Sequence, residues 1–139
     1  MSRETSLAWT AGILDGEGTI TLVNNGDWRI TPRVMLTMTD RPTVVRVYDI
    51  LRLGCLGNPT PETLKHKAKH HWAAGGADAA SICKILLPYL FTKKPQAELV
   101  ILYQRHCMFG PGINTLSDEQ KELRESIVEQ MTVLNKRGK

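Results

Sequence analysis

The stretch Thr10-Ala11-Gly12-Ile13-Leu14-Asp15-Gly16-Glu17-Gly18 decides how this sequence is read. Ala8 and Gly12 stand four residues apart, so they share one helix face, with Ala11 beside them. A face without side-chain bulk lets a second backbone come close. The same helix ends in two acids, Asp15 and Glu17, and two glycines, Gly16 and Gly18. Carboxylates are disfavoured at a helix C-terminus, because the dipole there is already negative. Two acids at that end call for positive charge nearby, and a hard divalent cation such as Mg²⁺ or Ca²⁺ is one candidate. The plainer reading is a glycine-rich helix end with Asp15 as a turn former.

Outward from this stretch the chain alternates helices and hairpins. Ser6 is the expected N-cap of the first helix, which spans residues 6–18. Thr19 to Val23 alternates and is β-branched, hence a strand. Asn24-Asn25-Gly26-Asp27 carries the Asn-Gly hairpin signal, and a second strand follows from Trp28 to about Met38. Asp40 or Thr39 caps a helix with Pro42 in its first turn, and Gly54 stops it. Leu64 to Ala74 reads as the second half of another hairpin, whose turn is obscured by Pro59 and Pro61. Asp78 opens a helix that ends near Pro88. A longer one runs from Lys94 to Met108 with Leu99, Leu102 and Tyr103 as its apolar face, and Gly110-Pro111-Gly112 breaks it. Ser117 with Gln120 forms a capping box before a last helix carrying Leu123, Ile127, Met131 and Leu134. The order predicts an α+β domain around one mostly antiparallel sheet. The final helical stretch, residues 110–139, is expected on the outer surface, with Lys136 and Arg137 near phosphate.

Two patches suit a polyanion. Alternation from Glu17 puts Thr19, Thr21, Val23 and Asn25 on one face of the first hairpin, and Arg29, Thr31 and Arg33 on one face of its return strand. That face is polar, basic and acid-free, which fits a major groove; a plain solvated face has the same alternation. Lys65, Lys67 and Lys69 also alternate, and on an unbroken strand they would share a face for phosphate contacts or for simple solubility. His66 and His70 with Cys55 raise a zinc alternative, without a Cys-x-x-Cys pair to support it.

Composition sets the limits. The chain has 139 residues, the length of one domain over 1–139. With 42% hydrophobic and 23% charged residues it is globular in composition, not disordered. Lys and Arg number 18 against 14 Asp and Glu, a net charge of +4 that tilts toward a polyanionic partner without proving one. Met1-Ser2-Arg3-Glu4-Thr5 precedes no apolar run, so no secretory leader is expected. The most apolar region, 77–91, is broken by Asp78, Lys84 and Pro88 and is not expected to span a bilayer. Cys55, Cys83 and Cys107, odd in number and far apart, fit reduced thiols in an intracellular protein.

The opening stretch resembles the motif of the LAGLIDADG homing endonucleases. Ala11, Gly12, Asp15 and Gly18 match by identity, and Ile13, Leu14 and Glu17 by type, while Thr10 departs. Trp9, Gly54, Trp72-Ala73-Ala74 and the segment Leu87-Pro88-Tyr89-Leu90-Phe91-Thr92-Lys93-Lys94-Pro95-Gln96-Ala97 extend the likeness over roughly residues 7–105. The resemblance implies the family's fold: an α-β-β-α-β-β-α order, with a saddle-shaped antiparallel sheet and helices on one face. It implies that two motif helices meet through Ala8, Ala11 and Gly12. Glu17 is then the carboxylate that binds Mg²⁺ at the scissile phosphate, with the Gly16 carbonyl as a backbone ligand and Ca²⁺ or Mn²⁺ as substitutes in binding. Asp15 takes a more structural part. Lys93 matches a basic active-site residue; paired lysines at a helix start are otherwise a solvated face. Thr21, Val23, Asn25, Arg29, Thr31, Arg33, Lys65, Lys67 and Lys69 would face double-stranded DNA.

With one motif in the chain, the expected enzyme is a homodimer. It would cut a long, nearly palindromic DNA site across the minor groove and leave 3′ overhangs, with no membrane or small-molecule partner. Met38 stands where the family often has a Gln, and it offers no strong donor to water or phosphate. That departure is the one sign of the alternative, an inactive binding protein such as an intron RNA maturase or a DNA-binding regulator. A purely structural dimerisation domain is the third reading.

Overall fold

The computed structural model describes residues 2–26, 29–108 and 116–137. Helix α1 (Arg3–Glu17) begins earlier than expected: Ser2, not Ser6, is its N-cap, and its Oγ accepts the Thr5 N–H at 3.1 Å. The extra turn is held by a contact distant in sequence, since Arg3 Nη1 donates to the Ile50 carbonyl at 2.7 Å. Gly18 closes the helix by donating its N–H to Leu14 O. A Cβ at Gly18 would stand 2.7 Å from the Leu14 side chain, so this junction has room only for glycine.

Strands β1 (Gly18–Asn24) and β2 (Ile30–Met38) form the first hairpin, in register from Gly18↔Leu36 to Asn24↔Ile30. Its turn uses Asn24 Oδ1, which accepts the Gly26 N–H at 2.9 Å, and Gly26 at φ 92°. The expected strand start at Trp28, and Asp27 of the turn, lie outside the described residues. Asp40 caps α2 (Arg41–Leu51) with Pro42 in the first turn. Gly54, at φ 81°, then turns the chain against Trp72, Ala73 and Ala74.

The second hairpin is shorter than the sequence suggested. Strand β3 is only Cys55–Leu56 and β4 is His70–Gly75. Between them pairing is limited to one bridge, Thr60↔Lys69. Pro59 and Pro61 have no N–H to give a ladder, so the extended pairing expected from Leu64 does not form. The sheet order is β1-β2-β4-β3, all antiparallel.

Helices α3 (Ala77–Leu86), α4 (Lys94–Tyr103) and α5 (Asp118–Arg137) complete the chain, with a π-helical turn over Gln104–Met108 after α4. Ser117 caps α5, its Oγ accepting the Gln120 N–H at 3.2 Å. The glycine-proline break at 110–112 and the last residues, 138–139, lie outside the described residues.

One core lies between the helices and one sheet face. It joins Leu7, Ala11 and Leu14 of α1 to Ile20, Leu22, Val34, Leu36 and Trp72 of the sheet. Each such buried aliphatic side chain stabilises the fold by roughly 1.5–3 kcal/mol. Trp72 also donates from Nε1 to Leu53 O at 3.0 Å, which fixes the end of α2 over the sheet. Two expectations change here. Leu102 is 36% exposed, and Gln96, Ala97 and Val100 take its place on the inner face of α4. Helix α5 is not merely superficial: Ile127 and Met131 are each 1% exposed and belong to the core. No described helix is long and apolar enough to cross a membrane.

Candidate active site

The end of α1 meets the start of α4, and the two acids there have different surroundings. The Asp15 carboxylate accepts two main-chain amides, Phe91 N–H on Oδ2 at 2.9 Å and Lys93 N–H on Oδ1 at 3.0 Å. Lys93, the N-cap of α4, folds its side chain back and donates from Nζ to the Asp15 carbonyl at 2.7 Å. A cation is opposed at its own helix N-terminus and favoured at another helix's C-terminus. The positive charge that the acidic helix end called for is therefore supplied, in part, by the chain itself. Glu17 is exposed and makes no hydrogen bond or ion pair with any described residue.

This sorting bears on metal binding. No three His, Cys, Asp or Glu side chains gather into a cage among the described residues. Mg²⁺ does not need one; it commonly takes one or two carboxylates, waters and substrate phosphate. A free Glu17 carboxylate beside the Gly16 main chain fits that habit. Asp15 fits it less well, because each of its oxygens already accepts a main-chain amide.

Glu17 and Lys93 occupy neighbouring but separate clefts. Glu17 lines an open cleft of about 340 Å³ with Thr37, Met38, Thr39 and Lys69. Lys93 lines one of about 590 Å³ with Asp15, Gly16, Thr19, Thr21 and Gln96. Lys69, read from the sequence as a phosphate contact, is thus brought to the side of Glu17. Met38 lies in the same cleft.

The sheet's other face is open. Register places Thr21 opposite Arg33 and Val23 opposite Thr31, and adds Thr19, Met35, Thr37 and His71 to the same face. None of these is an acid. Asn25 and Arg29 flank the turn, where Asn25 N–H donates to Arg29 O at 2.8 Å and Asn25 Nδ2 to Thr31 Oγ1 at 3.2 Å. Lys65 and Lys67 do not share a strand face with Lys69, for both fall in the exposed loop before the Thr60↔Lys69 bridge.

The small-residue face also needs correction. Ala8 and Gly12 are exposed, and a Cβ on Gly12 or Gly16 would meet nothing within 4 Å. Ala11 is fully buried in the chain's own core. Its spacing of four from Leu7 and three from Leu14 puts it on the inward stripe, a signal already present in the sequence. The exposed strip is Ala8, Gly12 and Gly16.

Two groups escaped the sequence reading. His71 is held at both ring nitrogens, Nδ1 by Thr37 Oγ1 at 3.0 Å and Nε2 by Thr60 Oγ1 at 2.8 Å, and so pins the basic loop to the open face. Gln96 and Asn135 link α4, α5 and β1. Strand parity could have found His71 beside Thr37; nothing local announces Asn135.

No protein-family model and no curated protein matches this chain. Solved structures do. The homing endonuclease I-CvuI, in complex with its target in the presence of calcium, superposes with a TM-score of 0.72 at 18% identity, over 95% of this chain and 83% of that one. An archaeal intron-encoded homing endonuclease complexed with DNA, I-Vdi141I, gives 0.72 at 10% identity, over 96% and 86%. The LAGLIDADG homing endonuclease I-GzeII, in complex with a DNA target, gives 0.64 at 16% identity, over 90% of this chain but 44% of that one. At such identities the likeness is one of architecture, and the chain has the fold of the LAGLIDADG homing endonucleases.

Proposed function

We propose that this protein is a site-specific, divalent-metal-dependent DNA endonuclease of the homing type, acting inside a cell as a homodimer. The observation that carries the reading is the sorting of the two acids. Asp15 is engaged with main-chain amides, and Glu17 stands free at the helix end beside a basic, acid-free sheet face. Several solved proteins of the same fold are complexes with DNA, and one of them, I-CvuI, was solved on DNA both with calcium and with magnesium present.

Glu17 and the Gly16 carbonyl would hold the cation, which when bound activates water and offsets charge on the phosphate. Lys93, fixed on the Asp15 carbonyl, brings a second positive charge to the same helix end. The open face would lie in the major groove, with Arg33 and Arg29 suited to guanine, Asn25 to adenine, and Thr21, Val23 and Thr31 packed among them. Lys65, Lys67 and Lys69 would add salt-sensitive phosphate contacts.

One Glu17 serves one strand. I-GzeII is long enough to hold this fold about twice, which supports a pair of the present chains doing the work of one longer chain. The exposed Ala8, Gly12 and Gly16 strip is the contact such a pair would use. Cutting both strands across the minor groove, at a long pseudo-palindromic site, would leave 3′ overhangs.

The apolar Met38 in the Glu17 cleft favours a second reading, a binding protein for DNA or intron RNA that does not cut. Selection of cleavable duplexes from a randomised library in Mg²⁺ separates the two. Cleavage products with a two-fold symmetric consensus support the nuclease. Tight, salt-dependent binding with no cut product supports the binding protein.

A further inference from the structure

Gln96 sits in the first turn of α4 and is 6% exposed. Its amide orientation follows from its neighbours. The Ile20 main-chain oxygen can only accept, so Asn135 must present Nδ2 to it, as it does at 3.3 Å. Asn135 Oδ1 then faces Gln96 and can only accept, so Gln96 presents Nε2, at 3.4 Å. Gln96 Oε1 is thereby turned away from α5. It is buried and has no hydrogen-bond partner among the described residues.

A buried amide oxygen left without a donor costs more than an ordinary hydrogen bond gains. This one belongs to a residue lining the cavity of about 590 Å³ that also takes in Lys93, Thr92, Thr19 and Thr21. A water needs about 30 Å³ and two to four polar partners. The cavity lining offers such partners in its three threonine hydroxyls and in the ammonium of Lys93, the one cation among the lining residues.

We propose that Gln96 is a positioning residue of the cleavage site. Its Oε1 holds a water that in turn meets the Lys93 ammonium, and Asn135 of the C-terminal helix sets the direction of the amide. The inference rests on the nuclease reading. It gives α5 a part in the site that its place behind the sheet does not suggest. The held water fixes the hydration around Lys93 at the helix end where Glu17 stands, and Gln96 need touch neither DNA nor metal to do so.

The test uses the full chain and a duplex selected by cleavage in Mg²⁺. Gln96→Met keeps the side-chain length and removes the acceptor; Gln96→Glu keeps an acceptor oxygen. Gln96→Met should lower the single-turnover cleavage rate at saturating DNA by about tenfold or more, the scale of one hydrogen bond to a charged partner network. Its DNA affinity in Ca²⁺ should stay within about twofold, and Gln96→Glu, which keeps the acceptor but sets a carboxylate oxygen against Asn135 Oδ1, should cut faster than Gln96→Met though below wild type. In the free wild-type protein, the Gln96 side-chain amide should show NOE contacts to a long-lived water, lost in Asn135→Leu. Wild-type cleavage by Gln96→Met, or a rate loss that merely tracks lost affinity, overturns the proposal. So does a Gln96 amide with no water contact. If the wild-type chain cuts no duplex, the nuclease reading falls, and with it the role in cleavage; the water contact then decides by itself whether Gln96 and Lys93 share a water.

Discussion

Lys93 Nζ donates to the Asp15 carbonyl at 2.7 Å while the Asp15 carboxylate accepts the Lys93 N–H at 3.0 Å. Two residues 78 apart in sequence thus hold each other twice. The pair fixes the start of α4 to the end of α1. It also commits one lone pair on each Asp15 carboxylate oxygen to holding the fold, whereas the neighbouring Glu17 carboxylate has no hydrogen-bond or ion-pair partner among the described residues.

Asp15→Ala should leave the amides of Phe91 and Lys93 unpaired, while the main-chain carbonyl that accepts from Lys93 Nζ remains. The expected loss is about 2–3 kcal/mol of stability, from two hydrogen bonds to a charged acceptor in a half-buried place. Asp15→Asn should cost less, because its amide oxygen still accepts one of the two. Urea unfolding reads both, as a lower midpoint at an unchanged slope.

Gly12 separates assembly from folding. A Cβ there meets nothing within 4 Å of its own chain. Gly12→Ala should therefore raise monomer stability slightly, by about 0.5–1 kcal/mol, since it relieves a helix of glycine's entropy cost. Gly12→Leu should place bulk on the exposed strip and convert a dimer to a folded monomer in sedimentation experiments. A Gly12→Leu protein that stays dimeric and active contradicts the assignment of that strip.

Gly54 gives the opposite result for the same kind of change. It adopts φ 81°, and a Cβ would lie 2.5 Å from the Ala73 carbonyl oxygen, which is backbone and cannot step aside. Gly54→Ala should cost about 2–4 kcal/mol, by left-handed strain and collision together. Thermal melting of Gly12→Ala and Gly54→Ala side by side, at concentrations where the chain is monomeric, should move Tm in opposite directions.

Cys83 is buried in the core, and burial pushes its thiol up from 9.0 to about 12. The unfolded chain releases this proton first, so the associated stability is full below about pH 9 and falls as pH rises from 9 toward 12. Cys83→Ala should flatten that part of the pH–stability curve. In the native protein at neutral pH a thiol reagent should label the exposed Cys55 and spare Cys83.

Much of this was legible because it depends on local chemistry. Alternation in Thr19–Val23 and Ile30–Met38 gave the hairpin and its two faces. Asp40, Pro42 and Ser117 announced their helix starts through caps that need only neighbouring residues. The errors arose where distant contacts override local signals. Arg3 reaches Ile50 and lengthens α1 beyond Ser6. The prolines near Thr60 cut short a strand that the alternating lysines had suggested. Ala11 is a different case: its spacing from Leu7 and Leu14 places it on the inward stripe, and that pattern is local. The Lys93–Asp15 exchange and the Gln96–Asn135 link lie between residues far apart in the chain, and no local pattern specifies them.

The central claim is that Glu17 is the carboxylate on which cleavage depends. Glu17→Gln keeps the size of the side chain and removes its charge, and the wild-type side chain makes no hydrogen bond or ion pair with any described residue that its loss would break. The most direct measurement compares wild type and Glu17→Gln on one selected duplex, reading DNA affinity and Mg²⁺-dependent cutting in the same preparation. The account predicts similar affinity, similar melting and no detectable cutting by Glu17→Gln. Cutting that continues at the wild-type rate in Glu17→Gln would contradict it.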